Sequence, residues 1–259
     1  RELEPHVIGR TVTGLTFEWE GIVKKIPLET FKKEVIGQTV QSIHRRGKYL
    51  FFALSSGKYM VIHLKMTGSL LVQPAGTEFP RFTRAVIHLD TGSDIVFRDP
   101  RKFGVMRLAE SMESIVGKLG PEPLEDGFTV DVLKERFTNR KLAMKALLCN
   151  QEVIAGIGSM YADEVMFDTR IHPVRLPESL TEKEKTNLHE AIRRILDAAV
   201  ENKGASIQDY YRPDGSKGTA HFEFNVAHRF HEPCKVCGTP IERIVVGGRG
   251  TYYCPKCQK

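Results

Sequence analysis

The stretch CKVCGTPIERIVVGGRGTYYCPKC, residues 234–257, carries two Cys-x-x-Cys pairs that are separated by 16 residues. Each pair forms a tight turn that directs two sulfurs to one point, and four thiolates are a ligand set that zinc takes in closed tetrahedral sites. Because such a site has no open position for a substrate, we predict one structural zinc ion and not a catalytic one. The predicted ligands are Cys234, Cys237, Cys254 and Cys257.

The segment between the cysteine pairs is basic and rich in glycine, and it reads VVGGRGTYY over residues 245–253. Glycines let the backbone approach a phosphate closely, and the planar guanidinium of Arg249 can place two donors on phosphate oxygens. The alternative is an ordinary β-turn with a solvated arginine. The segment is therefore a candidate for nucleic-acid binding, with the zinc as its support.

The composition of the whole chain limits the kinds of protein that it can be. The chain has 259 residues, a formal net charge of +6 and a pI near 9.0. This charge suits a polyanionic partner, although a soluble protein with surplus lysines has the same balance. A hydrophobic content of 41% is enough for a globular core, and no apolar run approaches the roughly 20 residues of a membrane helix. Five cysteines without a secretion leader indicate a reducing, cytoplasmic compartment.

Alternating apolar residues and turn signals predict strands over residues 11–108, arranged as a β-sandwich or barrel, with a short helix near 28–36. The proline- and glycine-rich GPEPLEDGF at 120–128 marks a boundary, after which helical periodicity follows. In the longest helix, we expect Ser179 as N-cap with Glu182 completing a capping box. The polar residues 203–224 predict a loop.

Two further segments are basic. HRRGKYL, residues 44–50, places Arg46 and Lys48 on one face if it forms a strand; the alternative is a charged edge that prevents strand pairing. FRDPRKFGVMR, residues 97–107, puts an arginine next to an aromatic residue in a turn. Minor-groove proteins insert such apolar side chains between base pairs. Met66, in HLKMTGSL, is a similar candidate, and core packing is the alternative for it and for Phe103.

A glycine-rich turn leads into a predicted helix in AGIGSMYADE, residues 155–164. The free amides of a helix N-terminus attract anions, while the alternative is a simple helix cap at Ser159. We expect Asp163 and Glu164 in the first turns, favoured by the helix dipole. Each of these segments has an ordinary structural explanation by itself, but together on one basic chain they favour nucleic-acid binding.

In this order the segments resemble the formamidopyrimidine-DNA glycosylase family of bacterial base-excision repair enzymes. The resemblance covers essentially the whole chain. It rests on RELEPHVIGRTV, RRGKYL, HLKMTGSL, RDPRKFG, LGPEPL, AGIGSMYADE, HP and GGRGTYYCPKCQK. It implies an enzyme that flips an oxidised purine, such as 8-oxoguanine or a formamidopyrimidine, out of duplex DNA, cleaves its glycosidic bond and nicks the backbone by β,δ-elimination. The implied protein is a nucleoid-associated monomer that has no membrane partner and binds duplex DNA containing an oxidised purine or an abasic site.

The resemblance also implies an α+β multi-domain architecture, with DNA bound between two lobes. An N-terminal β-sandwich would span residues 1–119, a helix-two-turn-helix domain residues 120–224, and a β-hairpin zinc finger residues 225–259. Residues 204–224, within the second domain, correspond to the loop that closes over the everted base.

Roles follow for residues that match the family's motifs. Lys48 matches the proton donor for β-elimination, which also contacts phosphate. Arg249 matches the arginine that grips the phosphates flanking the lesion and serves δ-elimination. Met66, Arg101 and Phe103 match the side chains that fill the gap left by the flipped base. The implied DNA-binding set is Lys48, Met66, Arg101, Phe103, Lys141, Ser159 and Arg249.

The sequence also departs from the family. The family's N-terminal proline, whose amine is the nucleophile, and the glutamate beside it are absent. We expect that the sequence lacks its first residues and that the chain as written is inactive. The alternative is a natural, non-catalytic DNA-binding relative.

Smaller departures concern the choice of lesion. Ser159 replaces an asparagine that binds phosphate, Phe82 and Arg84 stand where many members have histidines, and FNVAHRFHEPC replaces the usual approach to the finger. An endonuclease VIII-like enzyme for oxidised pyrimidines shares the layout, but the turn with Arg101 and Phe103 favours the purine branch.

Overall fold

The computed structural model describes residues 1–207 and 209–259, which pack as two compact units. The first unit contains Arg1–Gly117 and Ala205–Thr219, and the second contains Lys118–Gly204 and Ala220–Lys259. The predicted change from strand patterns to helical periodicity, near residue 120, lies close to the division between Gly117 and Lys118. The three expected domain boundaries remain a prediction, because compact packing does not test independent folding.

The first unit holds all eight strands that precede residue 110, in two antiparallel four-stranded sheets. The strands are β1 Val12–Phe17, β2 Val40–Arg46, β3 Tyr49–Leu54, β4 Tyr59–His63, β5 Ser69–Pro74, β6 Thr83–Leu89, β7 Ser93–Arg98 and β8 Val105–Ala109. Their order is β1-β6-β7-β5 in one sheet and β2-β3-β4-β8 in the other. Helices α1 Glu4–Val7 and α2 Leu28–Val35 accompany them, and α2 confirms the predicted short helix.

Apolar side chains from both sheets form one core in this unit. Phe52 and Ile62 come from one sheet, Ile87 and Phe97 from the other, and Phe31 of α2 packs among them. In β3 and β7 the cluster residues lie two positions apart (Phe52 with Leu54, Ile95 with Phe97), so one apolar face of each sheet is buried. The structure thus confirms the N-terminal β-sandwich.

The second unit is helical and ends in a hairpin. Helix α3 Glu113–Val116 still belongs to the first unit. The elements of the second unit are α4 Val130–Phe137, α5 Met144–Leu148, α6 Ser159–Asp168, α7 Glu182–Glu201, β9 Glu242–Val246 and β10 Arg249–Tyr253. The core of the helices includes Leu133, Leu147, Val165 and Ile192, all fully buried. Two turns connect α5 to α6. The predicted helix-two-turn-helix and zinc-hairpin architecture is confirmed.

The capping box of α7 lies two residues later than predicted. The Thr181 hydroxyl accepts a hydrogen bond from the Glu184 amide at 3.2 Å, and the Glu184 carboxylate accepts one from the Thr181 amide at 2.7 Å. The prediction of Ser179 with Glu182 was wrong. Ser179 closes a short 3₁₀ turn instead, where its hydroxyl donates to the Leu176 carbonyl at 2.8 Å. Both pairs have the same sequence spacing, so spacing alone did not distinguish them.

Residues 205–219 pack with the β-sandwich although they lie between α7 and the finger in sequence. A β-bridge between Ala205 and Thr219 closes the base of this segment. The predicted loop at 204–224 therefore has ordered structure on both sides of Gln208, which lies outside the described residues. Within residues 1–207 and 209–259, no helix is long and apolar enough to cross a membrane.

Candidate nucleic-acid interface and zinc centre

The four predicted metal ligands come together in the second unit. Their sulfur atoms all lie within 4.8 Å of one another. Cys234 and Cys257 have an Sγ–Sγ distance of 3.9 Å, and Cys237 and Cys254 one of 3.5 Å. These separations are too long for disulfides and close to the roughly 3.8 Å edge of a tetrahedron with Zn–S bonds of about 2.3 Å. The group fits one structural zinc ion.

The glycine-rich segment forms the tip of the hairpin above this metal site. Gly247 and Gly248 form the two-residue turn between β9 and β10, with φ values of +56° and +74°. Two positive φ angles in succession define the turn that suits a twisted hairpin, and glycine adopts them without strain. Gly247 also approaches α5, since an added Cβ would lie 3.1 Å from the Ala146 Cβ. The turn presents Arg249, which is exposed and donates to the Gly247 carbonyl at 3.2 Å.

Helix α6 begins beside the same hairpin. Its N-cap is Gly158, and Ser159 is the first helical residue, so the expected cap at Ser159 is displaced by one position. The Ser159 hydroxyl donates to the Gly250 carbonyl at 3.4 Å. The structure therefore brings together two predicted phosphate-binding elements, the N-terminus of α6 and the tip that carries Arg249.

Asp163 and Glu164 lie in the second turn of α6, and they are buried. Dipole stabilisation in the first turn is therefore not the reason for their presence. The Lys145 ammonium, itself 0% exposed, lies 2.6 Å from a carboxylate oxygen of Asp163 and donates to the Ser159 carbonyl at 2.6 Å. Burial raises the pKa of Asp163 to about 7, although Lys145 and the Tyr252 amide both favour the charged form. This pair ties α5, α6 and the hairpin together.

Glu164 fixes the chain where it enters the zinc finger. Its two carboxylate oxygens accept hydrogen bonds from the backbone amides of Asn225, Val226 and Ala227 at 2.8–2.9 Å. A carboxylate that accepts three backbone donors is a strong local anchor. No sequence pattern indicated Lys145 or the anchoring roles of both acids, because a local pattern does not show which charged residues are buried.

The three predicted gap-filling side chains lie together in the first unit. Met66 is 67% exposed and Phe103 46%. The Arg101 guanidinium lies 4.6 Å from the centre of the Phe103 ring, and one of its nitrogens lies 3.9 Å from the Met66 sulfur. Core packing, the alternative for Met66 and Phe103, does not apply at these exposures.

Asp99 organises the turn that carries Arg101 and Phe103. Its carboxylate is 0% exposed and accepts from the Phe103 and Gly104 amides at 2.7 Å each and from the Arg101 amide at 3.2 Å. The Thr67 hydroxyl donates to the same group and so links the turn to the neighbour of Met66. Asp99 was missed as a site residue, although it stands inside the motif.

Lys48 occupies the two-residue turn between β2 and β3, whose last pair is Arg46 with Tyr49. The expectation that it lies in a strand on the same face as Arg46 was wrong, because Gly47, at φ +56°, turns the chain there. Lys48 is exposed. Its positive charge also affects His63. The pKa of that imidazole is lowered to about 4, mainly by burial and then by the charges of Lys65 and Lys48.

The other predicted residues lie at separate places. Lys141 is exposed in the connection between α4 and α5. Arg84 donates to the carbonyls of Asp99 and Pro100 at 2.7 and 3.2 Å, so it supports the turn that Asp99 organises. Phe82 adopts φ +74°, and the guanidinium groups of Arg81, Arg84 and Arg98 lie within 4.5–5.9 Å of its ring centre.

Three family models match the chain in sequence. They describe the formamidopyrimidine-DNA glycosylase N-terminal domain, over residues 1–106, the H2TH domain of the same enzyme, over residues 119–211, and a zinc finger found in FPG and IleRS, over residues 232–259. The chain is 41% identical to the formamidopyrimidine-DNA glycosylase of Symbiobacterium thermophilum, covering 100% of this chain and 86% of the relative. It is 36% identical to that of Desulforamulus reducens, covering 100% and 95%.

Solved structures give the same grouping. A complex of Lactococcus lactis Fpg with DNA containing an abasic site superposes with a TM-score of 0.92 at 32% identity, covering 100% of this chain and 96% of that one. A complex of the same protein with DNA containing Fapy-dG has a TM-score of 0.91 at 31% identity, covering 100% and 96%. The MutM (Fpg) protein of Thermus thermophilus has a TM-score of 0.88 at 35% identity, covering 99% and 94%.

Proposed function

Because the chain belongs to the formamidopyrimidine-DNA glycosylase family, we propose that the protein excises oxidised purines from duplex DNA and nicks the strand at the resulting abasic site. The observation that carries this proposal is the exposed cluster of Met66, Arg101 and Phe103 on a turn fixed by buried Asp99. An everted base leaves a gap in the stack, and a protein holds the gap open by inserting apolar and planar side chains.

The phosphate-binding part of the proposed site lies in the second unit. Arg249 would grip a backbone phosphate through its guanidinium, while the positive end of the α6 dipole would attract another. The Ser159 hydroxyl would have to leave the Gly250 carbonyl, to which it donates at 3.4 Å, before it could donate to a phosphate. Lys141, exposed beside α5, adds a further positive charge, and the zinc ion holds the hairpin that presents Arg249.

The proposed chemistry assigns proton transfer to Lys48. In β-elimination, a base such as water takes a proton from C2′, the C2′–C3′ double bond forms and the bond from C3′ to the phosphate oxygen breaks. An ammonium group nearby can donate a proton to that leaving oxygen. Lys48 is exposed in a tight turn, where its flexible stem can reach a phosphate or a sugar oxygen. Arg249 would stabilise the second leaving phosphate in δ-elimination.

Borohydride trapping tests the reaction directly. The protein that begins with the family's N-terminal proline and glutamate is incubated with duplex DNA containing 8-oxoguanine opposite cytosine, and borohydride reduces the iminium between the proline amine and the sugar to a stable adduct. We expect a trapped complex and a strand nick. Absence of both, with intact binding to the same duplex, would contradict the proposed function and favour a DNA-binding relative without chemistry.

Substrate competition tests the proposed lesion class. We expect faster excision of 8-oxoguanine than of thymine glycol, and the reverse order would assign the protein to the pyrimidine branch. The proposed partner is duplex DNA with an oxidised purine or an abasic site. We also propose a monomer associated with the nucleoid, which sedimentation with and without DNA would test.

A further inference from the structure

Strand β5 lies at the edge of its sheet, and Asp209–Lys217 (the docked segment) contacts it. The Val72 amide donates to the Pro213 carbonyl at 2.7 Å. An edge strand exposes unpaired backbone groups that invite another chain, and here the protein's own segment pairs with one of them.

One buried serine holds two points of the docked segment. Ser69 is 0% exposed. Its hydroxyl accepts a hydrogen bond from the Tyr211 amide at 2.9 Å and donates to the Asp209 carbonyl at 3.3 Å. The hydroxyl therefore satisfies a donor and an acceptor of the segment at once, and an alanine in its place would leave both without these partners.

Arg98 contacts the same part of the segment from the adjacent strand. It is paired directly with Ser69 across β5 and β7, so the two side chains share one face of the sheet. Its guanidinium donates to the Asp209 carbonyl at 3.3 Å and lies 5.1 Å from the centre of the Tyr211 ring. Two side chains that are neighbours in the sheet thus converge on Asp209 and Tyr211.

The docked segment also has structure of its own. The Arg212 amide donates to the Ser216 carbonyl at 2.9 Å, and the Asp214 carboxylate accepts from the Ser216 amide at 2.9 Å. Arg212 forms an ion pair with Glu2 at 2.5 Å. The turn is therefore held by hydrogen bonds within the segment and by an ion pair with the N-terminal region.

We propose that Ser69 and Arg98 are positioning residues that hold the docked segment in place for covering an everted base. This inference rests on the proposed function, in which residues 204–224 correspond to the loop over that base. A damaged base must be held while its glycosidic bond breaks, whereas an abasic site carries no base to hold. Docking by these two residues should therefore matter for base release and not for cleavage at an abasic site.

Amide hydrogen exchange on the free protein tests the docking without any assumption about activity. Removing one or two hydrogen bonds should favour local opening, so we expect exchange at Tyr211 and Val72 to rise about 3- to 10-fold in Ser69→Ala and in Arg98→Met. Arg98→Met keeps the fold testable if the buried Ser69→Ala variant does not fold. Arg10→Met, an exposed arginine of the same unit, is the charge-matched control. Unchanged exchange in both variants would overturn the docking.

Kinetics on the full-length protein test the positioning. We expect Arg98→Met to lower single-turnover excision of 8-oxoguanine about tenfold while nicking at a preformed abasic site stays within about twofold. If Arg98 acts through the Tyr211 ring, Arg98→Met combined with Tyr211→Leu should be no slower than the slower single variant.

Two outcomes separate failure of this inference from failure of the proposed function. An equal fall of both reactions would overturn the positioning role, since a general loss of structure or of DNA binding explains it. A wild-type protein that releases no base would overturn the proposed function and the selectivity argument with it. In that case the exchange measurements still decide whether Ser69 and Arg98 dock the segment.

Discussion

At the scale of single residues, Asp99 shows how a buried carboxylate sets the shape of an exposed surface. Three backbone amides and one hydroxyl point at it. Asp99→Asn keeps the size of the side chain but turns an NH₂ group toward one or more of these donors. We expect a loss of roughly 2–4 kcal/mol in the free energy of unfolding, because buried donors lose a charged acceptor. Urea denaturation measures it.

The same substitution should also weaken binding to DNA that carries an abasic-site analogue, because Arg101 and Phe103 lose their fixed backbone. Asp90→Asn is the matched control, since Asp90 is exposed in a turn of the same unit. We expect it to change the free energy of unfolding by less than about 0.5 kcal/mol. Equal effects of the two substitutions would contradict the organising role of Asp99.

His63 gives a prediction about pH. Its Nδ1 accepts a hydrogen bond from the Lys65 amide at 2.9 Å, which requires the neutral ring. Burial, then the charges of Lys65 and Lys48, lowers the pKa of His63 from 6.5 to about 4. Between these values the unfolded chain binds more protons than the folded one, so the free energy of unfolding decreases as pH falls from 6.5 towards 4.

We expect His63 to account for a loss of roughly 1–2 kcal/mol between pH 7 and pH 5, after allowance for its partial exposure. Urea denaturation of the wild type and of His63→Gln at both pH values measures this contribution. His63→Gln should lose less stability over the interval, whatever its stability at pH 7. If both proteins lose the same amount, another group is responsible. An NMR titration of His63 gives its pKa independently.

At the scale of elements, helix α6 carries two ion pairs that differ in burial. Lys145 and Asp163 are 0% and 2% exposed in their side chains, whereas Arg194 and Asp168 are 63% and 35% exposed. Removing one partner of a buried pair leaves a buried charge without compensation and costs about 3–5 kcal/mol. We therefore expect Lys145→Met to lower the free energy of unfolding by that amount.

Arg194→Met is the matched control, because it removes the exposed ion pair between α7 and α6. Exposed ion pairs contribute about 0–1 kcal/mol to the free energy of unfolding. The double variant Lys145→Met with Asp163→Leu should recover part of the loss, because neither charge then remains buried. Thermal and urea denaturation distinguish these outcomes. A loss as small as that of Arg194→Met would contradict this cost, and would mean that Asp163 becomes protonated or hydrated when Lys145 is removed.

In the zinc hairpin, the residues that support the fold differ from the residue that is proposed to contact DNA. Cys254→Ser should release zinc and unfold the hairpin, because a structural site with three thiolates holds its metal more weakly. Arg249→Ala should keep zinc and fold, while weakening DNA binding by roughly 1–3 kcal/mol through the loss of a charge-assisted contact. Zinc content by atomic absorption and DNA affinity measure the two effects. Normal DNA affinity in both variants would remove the finger from the interface.

Sequence patterns predicted those elements whose physics is local. The cysteine spacing fixes a tetrahedral site by itself, and the short runs of aromatic and aliphatic residues in β3 and β7 suit strands that are largely buried. Lys48 and the cap of α7 were placed wrongly, because a shift of one or two residues changes a strand into a turn or one cap into another. Lys145 and Asp163 are 18 positions apart, and such a pairing depends on the packing of helices, which no short motif encodes.

At the scale of the whole molecule, the positive net charge and the division into two units both suit the proposed binding to DNA. A chain with a net charge of +6 divides into a β-rich unit with the exposed cluster of Met66, Arg101 and Phe103 and a helical unit with Arg249 and the start of α6. In the proposed site, the inserted side chains belong to the first unit, and the phosphate contacts other than that of Lys48 belong to the second. Phosphate contacts supply affinity and position but no information about the lesion, so the proposed recognition of damage belongs to the first unit.

The dependence of DNA binding on salt tests this division. Each lysine or arginine that neutralises a phosphate releases counterions, and its removal should reduce the slope of log K against log salt concentration by about 0.9. We expect Arg249→Met and Lys141→Met each to lower the slope by about that amount with an uncleavable abasic-site analogue. Met66→Ala should lower affinity and leave the slope unchanged, because a thioether releases no ions. Lys33→Met, at an exposed lysine of α2, is the charge control. A slope that falls equally for Lys33→Met would indicate that net charge, and not contact at particular phosphates, sets the affinity.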